Sequence, residues 1–187
     1  LDVALHKAGV TFVLDRAGVT GDDGSSHNGI WDLALTGIIP TMHVAAPRDG
    51  ARLREVLAES IQISDAPSML RYPKGEVIAD IPAFERRDGI DVLYRGESAD
   101  VLLISVGAMA AMAVEAASQA YREGVGVTVI DPRWVKPLPT SLVTIAQRYK
   151  SVVVLEDGIK HGGIASAISE MFREAELSTP IHSIGVP

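Results

Sequence analysis

The sequence predicts an α/β protein with mainly parallel sheets, and three observations carry that prediction. Short runs of β-branched and aliphatic residues alternate along the chain with longer amphipathic stretches. The short runs are almost uniformly Val, Ile and Leu, as expected of strands buried on both faces. Glycine, proline and charge collect between the runs, where turns belong.

In chain order, residues 10–14 (VTFVL) read as a buried strand, 30–35 as a helix and 42–46 as a strand stopped by Pro47. Residues 48–61 read as a helix with Leu53, Val56, Leu57 and Ile61 on one face and Asp49 as its N-cap. Residues 67–72 give a third strand. Between 73 and 100 the pattern breaks into Pro, Gly and charge, with strand-like pieces around Val77 and at 92–94, which reads as an interdomain connection. Alternation resumes with a strand at 101–106 closed by Gly107. A helix at 109–121 follows, with Met112, Ala113, Ala116 and Ala120 expected inward. The segments 125–130, 142–149, 152–155, 164–177 and 181–184 continue the rhythm. The expected organisation is two α/β domains, residues 1–84 and 85–187, without an internal repeat of fixed period.

Composition narrows the function. A chain of 187 residues with 47% hydrophobic and 22% charged residues has an ordinary globular balance. No apolar run reaches the ~18 residues of a membrane span, so no membrane partner is expected. The net charge of −7 argues against nucleic acid, which calls for a basic patch. There are no cysteines, which removes disulfides and thiolate nucleophiles. Residues 1–7 read as the tail of a helix whose beginning is missing, so the chain is expected to be a fragment of something longer.

Ligands of open α/β sheets gather at the carboxyl ends of the strands. That rule selects the loop at 15–29 (DRAGVTGDDGSSHNG), which offers Arg16, Asp23 and His27 among turn-forming glycines. Its alternative is a long polar surface loop. The second candidate is LRYPKG at 70–75, where Arg71 would emerge at the same edge as Arg16. Two guanidinium forks there would clamp a phosphate or carboxylate; the alternative is a surface salt bridge. The third is EDGIKHGGIAS at 156–166, a glycine-rich helix start. It matches neither a Walker motif nor GxGxxG, and reads as tight helix–sheet packing. His6, His43, His161 and His182 are scattered without metal-ligand spacing, and no G-x-S-x-G elbow is present. Trp31, Trp134, Met109 and Met112 read as core or interface packing.

The first loop resembles the D-R-A-G-x-x-G-x-D-G-x-x-H-x-G signature of the 1-deoxy-D-xylulose-5-phosphate synthase family, a branch of the transketolase-like thiamine-diphosphate enzymes. Further stretches match in order: 40–47, 67–75 (PSMLRYPKG), 131–138 (DPRWVKPL) and 156–166. The resemblance covers essentially the whole chain. It implies a partial transketolase-type pyrimidine-binding domain followed by a transketolase C-terminal domain. The implied reaction joins pyruvate and glyceraldehyde 3-phosphate, releasing carbon dioxide, with thiamine diphosphate and Mg2+ held by regions outside these residues. The resemblance also implies a cytoplasmic homodimer.

By the same resemblance, Arg16 and Arg71 hold the aldehyde's phosphate, while Asp23 and His27 are the catalytic pair that hydrogen-bonds acceptor and intermediate. No cofactor-binding or metal-binding residue is expected in this portion, which alone is expected to be inactive. Three positions depart from the family: Asp22 for a small residue, Asn28 for Gln and Lys74 for Arg. Two alternatives stand beside this reading. One is the beta subunit of a 2-oxoacid dehydrogenase, which needs no phosphate clamp. The other is a non-catalytic portion serving dimerisation.

Overall fold

A computed structural model describes all 187 residues, Leu1–Pro187. The chain runs α1 (Asp2–Leu5), β1 (Thr11–Leu14), two 3-10 turns (Gly21–Asp23 and Ser25–His27), α2 (Asp32–Gly37), β2 (His43–Ala45), α3 (Gly50–Ser60) and β3 (Ser68–Arg71). It continues through β4 (Glu85–Arg87), β5 (Ile90–Tyr94), β6 (Val101–Ser105), a third 3-10 turn (Gly107–Met109), α4 (Ala110–Arg122), β7 (Val127–Asp131) and β8 (Trp134–Lys136). The last elements are α5 (Ser141–Ala146), β9 (Ser151–Ile159), α6 (Ile164–Glu174) and β10 (Ile181–Val186).

These strands form two sheets, of order β1-β3-β2-β8 and β10-β9-β6-β7-β5-β4. In the first, β1, β3 and β2 run parallel, with Thr11 opposite Ser68 and His43 opposite Ser68. In the second, β10, β9, β6 and β7 run parallel, while β5 and β4 add an antiparallel edge. The α/β class with mainly parallel sheets is as the sequence predicts.

The sheets share one apolar cluster. Val44 and Met69 of the first, with Met42 just ahead of β2, pack into the same core as Ile90, Leu102, Ile104, Ile130 and Val154 of the second. Full burial of such side chains contributes roughly 1.5–3 kcal/mol each. Asp49 caps α3 as expected, accepting from the Arg52 N–H at 2.8 Å. Of the apolar face of α3, Val56 is fully buried, whereas Leu57 and Ile61 are exposed.

Three expectations are corrected. Val77 belongs to no strand and lies in an exposed segment; the charged β4 forms instead, by pairing with β5. Helix α4 is turned from its expected phase, burying Ala110, Ala113 and Ala117 and exposing Met112 and Ala116. Small alanines let the helix lie close to β7, and a methionine there would hold it off. Finally, β8 was not foreseen: this strand from the second half pairs antiparallel with β2 and becomes the edge of the first sheet.

A buried ion cluster also joins the halves. Arg48, which follows β2, donates through Nη1 to Asp91 and Asp131 at 2.7 Å each, and through Nε and Nη2 to the Ile81 carbonyl at 3.1 and 2.9 Å. Burial pushes the Asp131 carboxyl up to about 6, against the pull of Arg48. Burial opposes the charge of Asp91 too, but Arg86 and Arg48 overcome it and hold that carboxyl below its ordinary range.

Candidate functional site

Strand β1 delivers the chain to Asp15 and Arg16 at its carboxyl end, and the loop that follows is closed at its neck. The Gly29 N–H lies 2.9 Å from both the Arg16 and the Gly18 carbonyls, and the Gly18 N–H donates back to the Gly29 carbonyl at 3.1 Å. The Ala17 N–H donates to the Tyr72 carbonyl at 2.9 Å, tying the neck to the end of β3. Arg16 sits in the left-handed region (φ 64°), which costs a non-glycine residue of order 1 kcal/mol and turns its carbonyl towards Gly29. Within the loop, Asn28 Oδ1 accepts from the Thr20 N–H at 2.9 Å and lies 3.1 Å from its hydroxyl. The family departure at Asn28 therefore serves as an internal brace.

The two 3-10 turns present Asp23 and His27. Arg16 Nε donates to Asp23 Oδ2 at 3.1 Å, and its Nη1 pairs with Asp15. Lys74 donates to Asp23 Oδ1 at 2.6 Å, so one carboxylate holds a cation on each oxygen. The hydrogen bond from Lys74 is the main cause that holds the Asp23 carboxyl below its ordinary range, with Arg16 adding to it against partial burial. The Arg16 and Lys74 side chains stay 37% and 48% exposed, within reach of a ligand. His27 is exposed as well; its Nδ1 lies 3.1 Å from the Ser26 hydroxyl, and Nε2 has no partner within the chain.

Arg71 does not join Arg16 in an open clamp. It is 2% exposed and points beneath the loop, with Nε on Asp32 Oδ2 and Nη1 on Asp157 Oδ1, both at 2.6 Å, and Nη2 on the Gly29 carbonyl at 3.3 Å. Burial works against its charge, but Asp157 and Asp32 more than offset this and hold the guanidinium above its ordinary range. Two carboxylates face one guanidinium in this cluster, which is formally negative. The second exposed cation beside Asp23 is Lys74. Its signal in the sequence was its place as the last cation of the RYPKG run.

The glycine-rich segment that ends β9 packs closely against the start of α6. The buried Glu156 carboxylate accepts from the Ile164 and Ala165 N–H groups at 2.9 and 3.0 Å, filling the N-terminus of α6 where an anion would otherwise bind. A Cβ at Gly163 would run into this carboxylate. Burial raises the Glu156 carboxyl, opposed by those two N–H donors. No group of three or more His, Asp or Glu side chains is placed to hold a metal ion. No helix is long and apolar enough to cross a membrane.

With this geometry in hand, comparison with known proteins assigns the class. The transketolase pyrimidine-binding domain model matches residues 1–78 and the transketolase C-terminal domain model matches residues 91–187; the chain belongs to the transketolase family. Within it, the chain is 56% identical to the 1-deoxy-D-xylulose-5-phosphate synthase of Mycolicibacterium gilvum (strain PYR-GCK), 53% to that of Leifsonia xyli subsp. xyli and 50% to that of Mycobacterium leprae. Each match covers all of this chain but only 30%, 29% and 30% of the respective relative. A solved split-gene transketolase, described as an inactive beta4 tetramer, superposes with a TM-score of 0.85 at 30% identity over 98% of this chain and 58% of its own.

Proposed function

We propose that this chain forms the acceptor side of a 1-deoxy-D-xylulose-5-phosphate synthase, a transferase joining pyruvate to glyceraldehyde 3-phosphate with release of carbon dioxide. The observation that carries the reading is the pair of exposed cations, Arg16 and Lys74, converging on Asp23 beside His27. A phosphate dianion competes with Asp23 for both cations and, once seated, frees that carboxylate for the acceptor's hydroxyl. His27 is assigned to pass a proton to the aldehyde oxygen as the new carbon–carbon bond forms. Arg71, given to the phosphate on sequence grounds, is reassigned as the anchor beneath the loop.

Thiamine diphosphate supplies the electron sink for such a reaction. Its diphosphate requires a divalent cation held by several oxygen ligands. The residues here do not fit that task, because Asp23 is committed to Arg16 and Lys74 and no group of three or more His, Asp or Glu side chains is placed to hold a metal ion. The cofactor and Mg2+ are therefore assigned to other regions of a longer enzyme, a cytoplasmic homodimer by the same resemblance. Residues 1–84 would be its pyrimidine-binding portion and 85–187 its C-terminal domain. The isolated chain is expected to show no turnover, a reading supported by the related split-gene chain whose solved form is described as inactive.

The test is to titrate the chain with glyceraldehyde 3-phosphate and with unphosphorylated glyceraldehyde, following the loop amides by NMR. The phosphorylated compound should shift residues 16–29, and Lys74→Ala should weaken its binding by about tenfold or more, the worth of one charge-assisted hydrogen bond. Equal responses to the two aldehydes would overturn the assignment.

A further inference from the structure

We propose that Asp157, a residue of the second half of the chain, is a positioning residue that seats the anion-binding loop through Arg71. The proposal rests on the reading of that loop given above. It places part of the control of the acceptor site in the C-terminal domain, on a residue that touches neither Arg16 nor Lys74.

The geometry is that of a bracket. Arg71 is the last residue of β3, yet its side chain ties together three separate segments: Asp32 at the start of α2, the Gly29 carbonyl at the loop neck, and Asp157 on β9. The Asp32 and Asp157 side chains are only 10% and 9% exposed, so both ion pairs are shielded from solvent and salt. Asp157 also meets the neck directly. A Cβ at Gly18 would lie 3.1 Å from Asp157 Oδ2, and Gly18 sits at φ 76°, so the position is both conformationally and spatially suited to glycine. The end of β9 is held along the same seam, because the Ile159 N–H donates to the Ile30 carbonyl at 2.9 Å.

The consequence follows from where the neck leads. The Gly29 N–H is bonded to the carbonyl of Arg16, the residue whose side chain reaches for the anion. Loss of the Asp157 carboxylate leaves Arg71 with Asp32 alone and frees the guanidinium to swing away from the Gly29 carbonyl. The neck then samples open forms while the β6–β7 core, which meets β9 only at Ser151–Leu155, ahead of Asp157, keeps its packing.

The experiment is hydrogen exchange on the full chain and on Asp157→Asn and Asp157→Glu, combined with titration by inorganic phosphate. Gly18 and Gly29 amides should exchange about tenfold faster in Asp157→Asn while Leu102, Ile104 and Val129 keep their rates. Phosphate should bind roughly three- to tenfold more weakly, and Asp157→Glu should recover part of both effects. Unchanged exchange at Gly18 and Gly29, or acceleration matched by the core amides, would overturn the positioning role. Absence of any phosphate response in the unsubstituted chain would overturn the anion-site reading itself, and the exchange rates would still decide whether Asp157 holds the loop.

Discussion

Arg71→Ala separates an anchor from a ligand-binding residue. The side chain is 1% exposed and pairs with two carboxylates at 2.6 Å, neither more than about a tenth exposed. At an effective dielectric of ~20, each contact at ionic distance represents roughly 4 kcal/mol of attraction before desolvation is subtracted. Removing one partner of a buried pair typically costs 3–5 kcal/mol, because the remaining charge stays buried without compensation. Here two carboxylates are stranded together, so the upper part of that range is expected at neutral pH. For a chain of this size such a loss corresponds to a fall in Tm of roughly 6–20 °C. Lys74→Ala, by contrast, breaks an ion pair that is 48% exposed on the lysine side and should cost under ~1 kcal/mol. Thermal melts and urea titrations at pH 7.5 read both. An Arg71→Ala protein that melts within ~2 °C of the parent at pH 7.5 would refute the reasoning.

Two further predictions concern the second half. Glu156→Gln replaces a carboxylate that accepts two N–H groups with an amide that can serve only one well, and should destabilise the chain by about 1–3 kcal/mol, read by urea titration. Asp131 has its folded-state pKa raised to about 6 from 3.8, so ionising it works against folding: its contribution is most favourable below the unfolded value and is lost as pH rises to about 6. The change amounts to on the order of 3 kcal/mol. Stability of the parent relative to Asp131→Asn should therefore decline between about pH 4 and 6.5, and a flat or rising difference would contradict the burial argument.

Local features were readable from sequence where the physics is local. Asp49 caps α3 because an acidic residue ahead of an amphipathic run has an N–H within three residues to accept from. The Asp15–Gly29 loop is legible as a glycine-rich connection at the carboxyl end of β1, and Gly18 and Gly29 close its neck. Strand β8 is missed for the opposite reason: its three residues, Trp134–Lys136, are too few to carry a strand signal alone between Pro132 and Pro137, and the pairing partner, β2, lies about ninety residues earlier. Alanine-rich α4 gives its apolar periodicity two nearly equal phases, and only packing on β7 chooses between them.

The burial of Arg71 and the exposure of Lys74 were similarly out of reach. All four residues of β3 are buried, so alternation along the strand carries no hint of which side chain reaches an open edge. The carboxylates that claim Arg71 come from positions 39 and 86 residues away in the chain. Lys74, three residues further on and free of the strand, keeps its charge at the surface beside Asp23.

Under the proposed function, Arg16 and Lys74 hold the acceptor's phosphate. This assignment is tested most directly by steady-state kinetics of the complete enzyme carrying this chain, comparing Lys74→Ala with the parent for each substrate separately. The KM for glyceraldehyde 3-phosphate should rise by about tenfold or more, with the KM for pyruvate within about twofold of the parent. A glyceraldehyde 3-phosphate KM that does not move, or one that moves in step with that of pyruvate, would contradict it.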